Sequence, residues 1–181
     1  MPRAVPAVPT TYYPKEPIAA ADWNAFVYAV GFHIHPPTAL LFQNVTQVIT
    51  SSTNGMRITY DSAERDSDAG HDPTANSSRF TAPIPGLYHV TAIGSIAANN
   101  PNGVERSVCI MVNNTTIWAI HLLAPYTGAQ GSIFYGSCSL DIPMNAGDYV
   151  EAQLWQDSGD NTVRTSTGAA ACRLLVHWAG T

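Results

Sequence analysis

From about residue 38 onward, the sequence consists of short runs of β-branched and aromatic residues separated by turn residues. Asparagine and glycine dominate the separators, as at Asn54-Gly55 and in the stretch 99–103, and such pairs are typical of hairpin turns. Many short strands at intervals of about 8–12 residues indicate an antiparallel sandwich or a closed barrel. The sequence therefore predicts one all-β domain over residues 38–181. The predicted strands are 39–50, 55–61, 78–82, 86–98, 104–113, 116–123, 130–141, 147–156, 161–166 and 171–178.

Residues 1–37 have a different character and are predicted to form an N-terminal anchor. Prolines recur through residues 1–17, where they fix φ and remove backbone donors, so this arm should be extended. An arm of this kind cannot fold alone and is expected to lie along another protein. Tyr12 and Tyr13 are its candidate contact residues.

Residues 18–35 show helical periodicity. Asp22 favours the first turn through capping or the helix dipole, and the prolines at 36 and 37 end the helix. The opposite face is apolar too, so the helix should dock against its own domain, sister subunits or a partner. The stripe consists of residues at positions i, i+3, i+4, i+7 and i+11, namely Trp23, Phe26, Val27, Val30 and Ile34. The opposite face carries Ala25, Tyr28, Ala29 and Phe32.

The composition excludes several classes of partner. Only 12% of the residues are charged and the net charge is −5, which with no basic run argues against nucleic-acid binding. No stretch approaches the roughly 18–20 apolar residues that span a bilayer. The N-terminal arm lacks the apolar core of a signal peptide, so we expect synthesis in a cytoplasm and no insertion into a membrane.

The sequence lacks the motifs of common catalytic and nucleotide-binding sites, namely GxSxG, HExxH, the P-loop and CxxC. His71 and Asp72 lie beside serines, but a catalytic triad is defined by geometry. The three cysteines, Cys109, Cys138 and Cys172, are far apart and are expected to be buried free thiols. We therefore expect no enzymatic activity and no cofactor.

The histidines do not form a metal-binding pattern in the sequence. His33 and His35 are two residues apart and do not share a helical face. His89, His121 and His177 fall in predicted strands. We expect these three to serve in packing or in an interface.

The densest polar cluster is the acidic segment, residues 61–72. Asp66, Asp68 and Asp72 are spaced closely enough for their oxygens to bind Ca²⁺, although the segment departs from the EF-hand pattern. The alternative is a solvated loop held by side-chain hydrogen bonds to its own backbone. Ca²⁺ is thus the one cofactor candidate that the sequence offers.

A glycan is a further candidate ligand, because aromatic side chains stack on sugars. Most of the aromatic residues are expected to fill the core and the subunit contacts instead. If a glycan site exists, the loops around 99–103, 124–130 and 157–161 are the places for it. Tyr126 and Asp157 are the candidate residues there.

Two motifs resemble the signature of C1q-like domains. Phe80, Gly86 and Tyr88 follow the family's spacing of an aromatic, a glycine and a second aromatic, although the final aromatic position holds Val90. The stretch 140–151, with its Gly-Asp pair (Gly147 and Asp148), looks like the family's later turn and strand. The resemblance covers roughly residues 40–178. It implies a C1q/TNF-like jelly-roll sandwich of about ten strands that assembles as a homotrimer.

The whole chain is similar to short proteins of actinobacterial tailed phages and prophages. These proteins join a segment like Ala20-Ala21-Asp22-Trp23-Asn24 to a C1q-like domain with an acidic loop like residues 66–72. The resemblance implies a virion structural protein on the tail tip, tail fibre or capsid surface, with other virion proteins as partners and a role in adsorption to the host. The alternatives are a capsid decoration protein and a soluble module that binds a host cell-surface glycan. The collagen stalk of animal C1q proteins is missing, so their complement and hormone roles are not carried over.

The trimer that the resemblance implies buries one flank of each sandwich around a three-fold axis. Apolar residues of the later strands are the candidates for this interface. They are Trp118, Ile120, Phe134 and Tyr135.

Overall fold

The computed structural model describes Pro6 and residues 18–51, 55–97, 106–123 and 133–180. One helix and ten strands form its main elements. They are α1 (Ala20–Ile34), β1 (Thr38–Phe42), β2 (Met56–Arg57), β3 (Ser62–Asp66), β4 (Arg79–Thr81), β5 (Gly86–Ile96), β6 (Arg106–Val112), β7 (Thr116–Leu123), β8 (Phe134–Met144), β9 (Tyr149–Gln156) and β10 (Arg173–Gly180).

The strands form two antiparallel sheets. The first sheet has the order β3-β1-β10-β5-β8, and the second has the order β2-β9-β6-β7 with β4 also paired to β9. The first and last strands, β1 and β10, are neighbours, so the chain closes on itself. This confirms the predicted all-β jelly-roll sandwich.

Alternation along the strands creates the core. In β10, Leu174, Val176 and Trp178 are buried while Leu175 and His177 are exposed. The same period of two runs through β5 and β8, as expected for strands with one face in a core. The buried apolar side chains of both sheets form a single cluster.

Helix α1 packs on the end of the sandwich through the face opposite the predicted stripe. Phe32 is 2% exposed and meets the ring of Trp178 edge-on, with 5.1 Å between the centroids. Ala29, one turn earlier, is also buried. Trp178 donates its backbone N–H to Pro37 O, which fixes the chain where it leaves the helix. The helix therefore docks on its own domain, and the stripe faces outward.

Three strand predictions, 39–50, 55–61 and 161–166, were wrong in their extent, and one segment expected as a loop contains a strand. The predicted strand 55–61 is reduced to β2, Met56–Arg57. Strand β1 ends at Phe42, because Asn44 and Val45 direct their backbone N–H groups to the carboxylate of Asp61. The predicted strand 161–166 contains only isolated bridges at Arg164 and Thr165. The acidic segment, expected as a loop, begins with β3, which pairs with β1.

The cysteines are free thiols, as predicted. Cys109 and Cys172 are buried, and Cys138 is partly buried. Burial raises the pKa of the Cys138 thiol to about 11 and raises those of the other two. Because the thiolate is the reactive form, these residues are inert packing groups at neutral pH. Within the described ranges, no helix is long and apolar enough to cross a membrane.

Candidate interaction surfaces

The first signature motif forms the corner at which the chain passes from β4, in the second sheet, to β5, in the first sheet. Phe80 and Tyr88 are buried, with 6.3 Å between their ring centroids, and the Tyr88 hydroxyl donates to Ile84 O at 2.7 Å. Burial raises the pKa of Tyr88 to about 12. Gly86 has φ +146° and lies against Trp178, so a Cβ there would collide with the indole. The motif is therefore structural and holds the end of the sandwich on which α1 docks.

The second signature motif ties two turns together. Asp148 accepts hydrogen bonds from Asn113 Nδ2 at 2.9 Å and from the backbone N–H of Asn145 at 2.7 Å. These contacts hold the pKa of Asp148 below its ordinary value, with the Asn113 bond as the largest cause. Gly147 has φ +91° in the turn, a conformation that favours glycine. The Gly-Asp pair is thus a turn anchor.

The acidic segment uses its carboxylates to organise its own backbone. Asp66 accepts the backbone N–H groups of Gly70 and His71, each at 3.0 Å. Asp72 accepts from the hydroxyl of Thr74 at 2.7 Å and from two backbone N–H groups. These bonds lower the pKa of Asp72, the Thr74 hydroxyl most of all.

His71 fastens the acidic segment to the sandwich. Its Nδ1 lies 2.9 Å from Arg79 O and its Nε2 lies 3.0 Å from Tyr60 O. Within the described residues, no group of three His, Cys, Asp or Glu side chains converges as a metal site. The Ca²⁺ candidates Asp66, Asp68 and Asp72 are therefore not brought together as ligands, and the alternative of a self-bonded loop describes the segment.

The α1 stripe, defined as Trp23, Phe26, Val27, Val30 and Ile34, is exposed along its length. Its members are 39% to 63% exposed. The rings of Trp23 and Phe26 contact each other, with centroids 5.9 Å apart. Exposed apolar patches of this kind mark interaction sites in soluble proteins.

A second apolar surface lies on the flank where the two sheets meet. In the described part of the chain, β7 and β8 are the terminal strands of their sheets, and they contact each other across the sandwich. We call this surface the β7–β8 flank and define it as Ile117, Trp118, Ile120 and Tyr135, which are 40% to 55% exposed. Three of the four residues predicted for the trimer interface are therefore on one flank.

Phe134, the fourth predicted interface residue, faces the other way. It precedes the exposed Tyr135 in β8, so alternation turns it toward the core, against which it packs. The guanidinium of Arg106 lies over its ring, 4.1 Å from the centroid. Because of this packing, Phe134 is not part of the exposed β7–β8 flank.

Some predicted contact residues cannot be placed. Tyr12 and Tyr13 of the arm and the glycan candidate Tyr126 lie outside the described residues. Asp157 follows β9 in a described turn, where its charge opposes the desolvation that lowers the pKa of Arg106.

A polar network on the outer face of the first sheet escaped the sequence-based prediction. His89 Nδ1 lies 2.7 Å from Asp141 Oδ1, and His89 Nε2 lies 2.9 Å from Ser139 Oγ. His177 is the cross-strand partner of His89. Both histidines are exposed, so the prediction that they pack in the core or an interface is wrong as regards the core. Their outward position follows from the period of two, but their pairing depends on the register of three strands.

A comparison with solved structures finds a domain of similar architecture. The globular domain of zebrafish complement 1qA protein superimposes with a TM-score of 0.54, covering 80% of this chain and 99% of that domain. The chain has a C1q-like fold. The sequence identity is 12%, so the likeness concerns the fold alone. No family model and no curated protein matches the sequence.

The two sequence motifs lie at the corner and the turn described above. In this chain, the notable surfaces are the α1 stripe, the β7–β8 flank and the outer face of the first sheet.

Proposed function

We propose that this chain is a non-enzymatic structural protein of a phage virion. Three copies form a C1q-like knob, and α1 with the arm attaches it to the tail or to the capsid surface. The observation that carries the proposal is the pair of apolar surfaces, the α1 stripe and the β7–β8 flank, that a single chain leaves in water. The sequence resemblance to tailed-phage proteins supports the virion as the assembly.

The β7–β8 flank is the surface for self-association. A cyclic trimer uses heterologous contacts, in which one patch of each copy meets a different patch of the next. Trp118 and Ile120 lie two residues apart in β7, so their side chains share one face. Buried apolar area contributes about 25 cal/mol per Å², and a large aromatic with aliphatic neighbours is typical of an interface core.

The α1 stripe is the surface for attachment. Phe32 holds the helix on the sandwich from the opposite side, so the stripe is presented by a rigid body. Three copies related by a three-fold axis present three stripes together, and linked weak contacts add through their high effective concentration. Attachment by multivalent apolar contact requires no catalytic group.

The test is incorporation into particles. We would replace Trp23, Phe26 and Val27 together by serine in the full chain and purify virions assembled with the variant. The proposal predicts a folded trimer that is absent from the particles, since Phe32 and the β7–β8 flank are intact. Val45→Ser, at another exposed apolar position, is the matched control and should be incorporated normally.

Incorporation of the triple variant at the level of the control would contradict attachment through the stripe. Antibody labelling of intact particles that carry the unmodified protein gives the location. Label confined to the tail assigns the knob to the tail, and label over the head assigns it to the capsid. Label on neither contradicts the virion assignment itself.

A further inference from the structure

The imidazole of His71 lies between two backbone carbonyl groups. Its Nδ1 is 2.9 Å from Arg79 O, on β4, and its Nε2 is 3.0 Å from Tyr60 O, in the segment between β2 and β3. A carbonyl oxygen only accepts hydrogen bonds, whereas a neutral imidazole has one N–H donor and one lone pair. A neutral ring would therefore turn its lone pair toward one of the two oxygens. The imidazolium, with a proton on each nitrogen, donates to both.

The charged groups around the ring favour this cation. Hydrogen bonds within its own loop lower the pKa of Asp72 most, and the charge of His71 lowers it further. Asp66 accepts the backbone N–H of His71 at 3.0 Å. The guanidinium of Arg79 is already paired with a buried carboxylate of β9. The ring of Tyr60, edge-on at 6.4 Å, is neutral because burial raises its pKa well above the ordinary value.

The segment that His71 holds covers part of the core. Gly70 is buried against the ring of Phe80, and a Cβ at this glycine would collide with that ring. The carbonyl of Gly70 accepts the backbone N–H of Thr81 at 2.7 Å. His71 is the next residue, and its ring bonds this stretch both to β4 and to the segment before β3. The loss of one of these bonds therefore loosens the cover over Phe80.

We propose that His71 is a pH-sensitive switch, which holds the acidic segment on the sandwich when its ring is protonated and loosens that hold when the ring loses a proton. The folded chain binds the proton through two hydrogen bonds that the unfolded chain lacks. Protonation therefore stabilises the fold, and this stabilisation is lost as the pH rises. Histidine changes its charge between about pH 5 and pH 8, which lies above the acid range in which Asp72 is protonated.

The experiment is urea denaturation of the full chain at a fixed chain concentration, at about pH 5 and about pH 8. We expect the unfolding equilibrium constant to be at least about fivefold larger at the higher pH, because one carbonyl group loses its donor. His71→Gln, whose side chain stays neutral, should lose this part of the pH dependence. His177→Gln is the matched control, since that histidine is exposed on the outer face of the first sheet, and it should keep the dependence. A His71→Gln chain with the pH dependence of the unmodified chain would overturn the proposal.

Nuclear magnetic resonance of the imidazole nitrogens tests the switch in the unmodified chain. It decides the proposal even if His71→Gln fails to fold. The proposal predicts a proton on both ring nitrogens of His71 at a pH at which the exposed His177 has lost one. A neutral His71 ring in the folded chain at that pH would overturn it.

Discussion

The acidic segment and helix α1 were both candidate sites in the sequence, and they differ in whether their side chains already have partners within the described structure. In the acidic segment, the carboxylates of Asp66 and Asp72 accept hydrogen bonds from neighbouring backbone N–H groups. On α1, the stripe has no covering layer from the described residues, and Trp23 is half exposed. The polar groups of a dense cluster can thus bond to one another, while an apolar helix of ordinary length leaves one face exposed to water.

The difference shows which kind of pattern indicates a function. Polar groups that satisfy one another within a loop stabilise that loop and leave little capacity for a ligand. Apolar area left in water is a free-energy cost that a partner removes. In this chain the apolar surfaces, rather than the carboxylates, therefore point to interaction.

The largest expected effect is a difference in the free energy of unfolding between substitutions on the two faces of α1. Phe32→Ala removes a buried ring packed on Trp178 and should lower the free energy of unfolding by about 3–5 kcal/mol. Phe26→Ala, on the exposed stripe, should change it by no more than about 0.5 kcal/mol. Chemical denaturation of the two variants measures both values. Similar losses would show that the stripe, too, is part of the folded core.

The next largest expected effect is a loss of folding stability when a carboxylate of the acidic segment is removed. Asp66→Ala leaves the backbone N–H groups of Gly70 and His71 without their acceptor, which should cost about 1.5–3 kcal/mol. Glu64→Ala, at an exposed position of β3, is the control and should have little effect. If Asp66→Ala is as stable as the control, the segment is not held by its own carboxylates.

Acid should weaken the same segment. Hydrogen bonds from Thr74 and Ala75 lower the pKa of Asp72 from 3.8. A carboxyl whose pKa is lower in the folded state stabilises the fold above pH 3.8, and this stabilisation is lost as the pH falls through the lowered value. The melting temperature should therefore fall below about pH 4, and fall less steeply in Asp72→Asn. Identical pH profiles for the two proteins would contradict this assignment.

The smallest effect is expected from Ca²⁺. Because Asp66 and Asp72 are engaged with the backbone, addition of about 1 mM Ca²⁺ should leave the melting temperature unchanged. Differential scanning calorimetry with and without the ion measures this. A rise in the melting temperature that Asp68→Asn abolishes would show that the acidic segment binds Ca²⁺. The segment would then be a ligand site, and the difference from α1 drawn above would be wrong.

The sequence was sufficient to predict the core because alternation and turn residues are local signals. Phe80 and Tyr88, which the motif singled out, are buried, and Gly86 has a positive φ at the corner between β4 and β5. The docked face of α1 was not predictable in this way. Both faces are apolar, and the choice depends on Trp178, which lies far away in the sequence.

The surface sites depend on pairing that the sequence does not display. His89 and Asp141 are 52 residues apart and meet only through the register of β5 and β8. The five polar or small residues of β3 likewise form a strand because β1 offers them a partner, since their own β-propensity is low. Tertiary context, which is absent from local patterns, decided both outcomes.

Sedimentation equilibrium of the full chain tests the central claim that the β7–β8 flank joins three copies. The proposal predicts a mass of three times 19.4 kDa, and a return to the mass of one chain when Ile120 is replaced by aspartate, because a buried unpaired charge opposes association. The unmodified protein remaining at the mass of one chain at high concentration would contradict it.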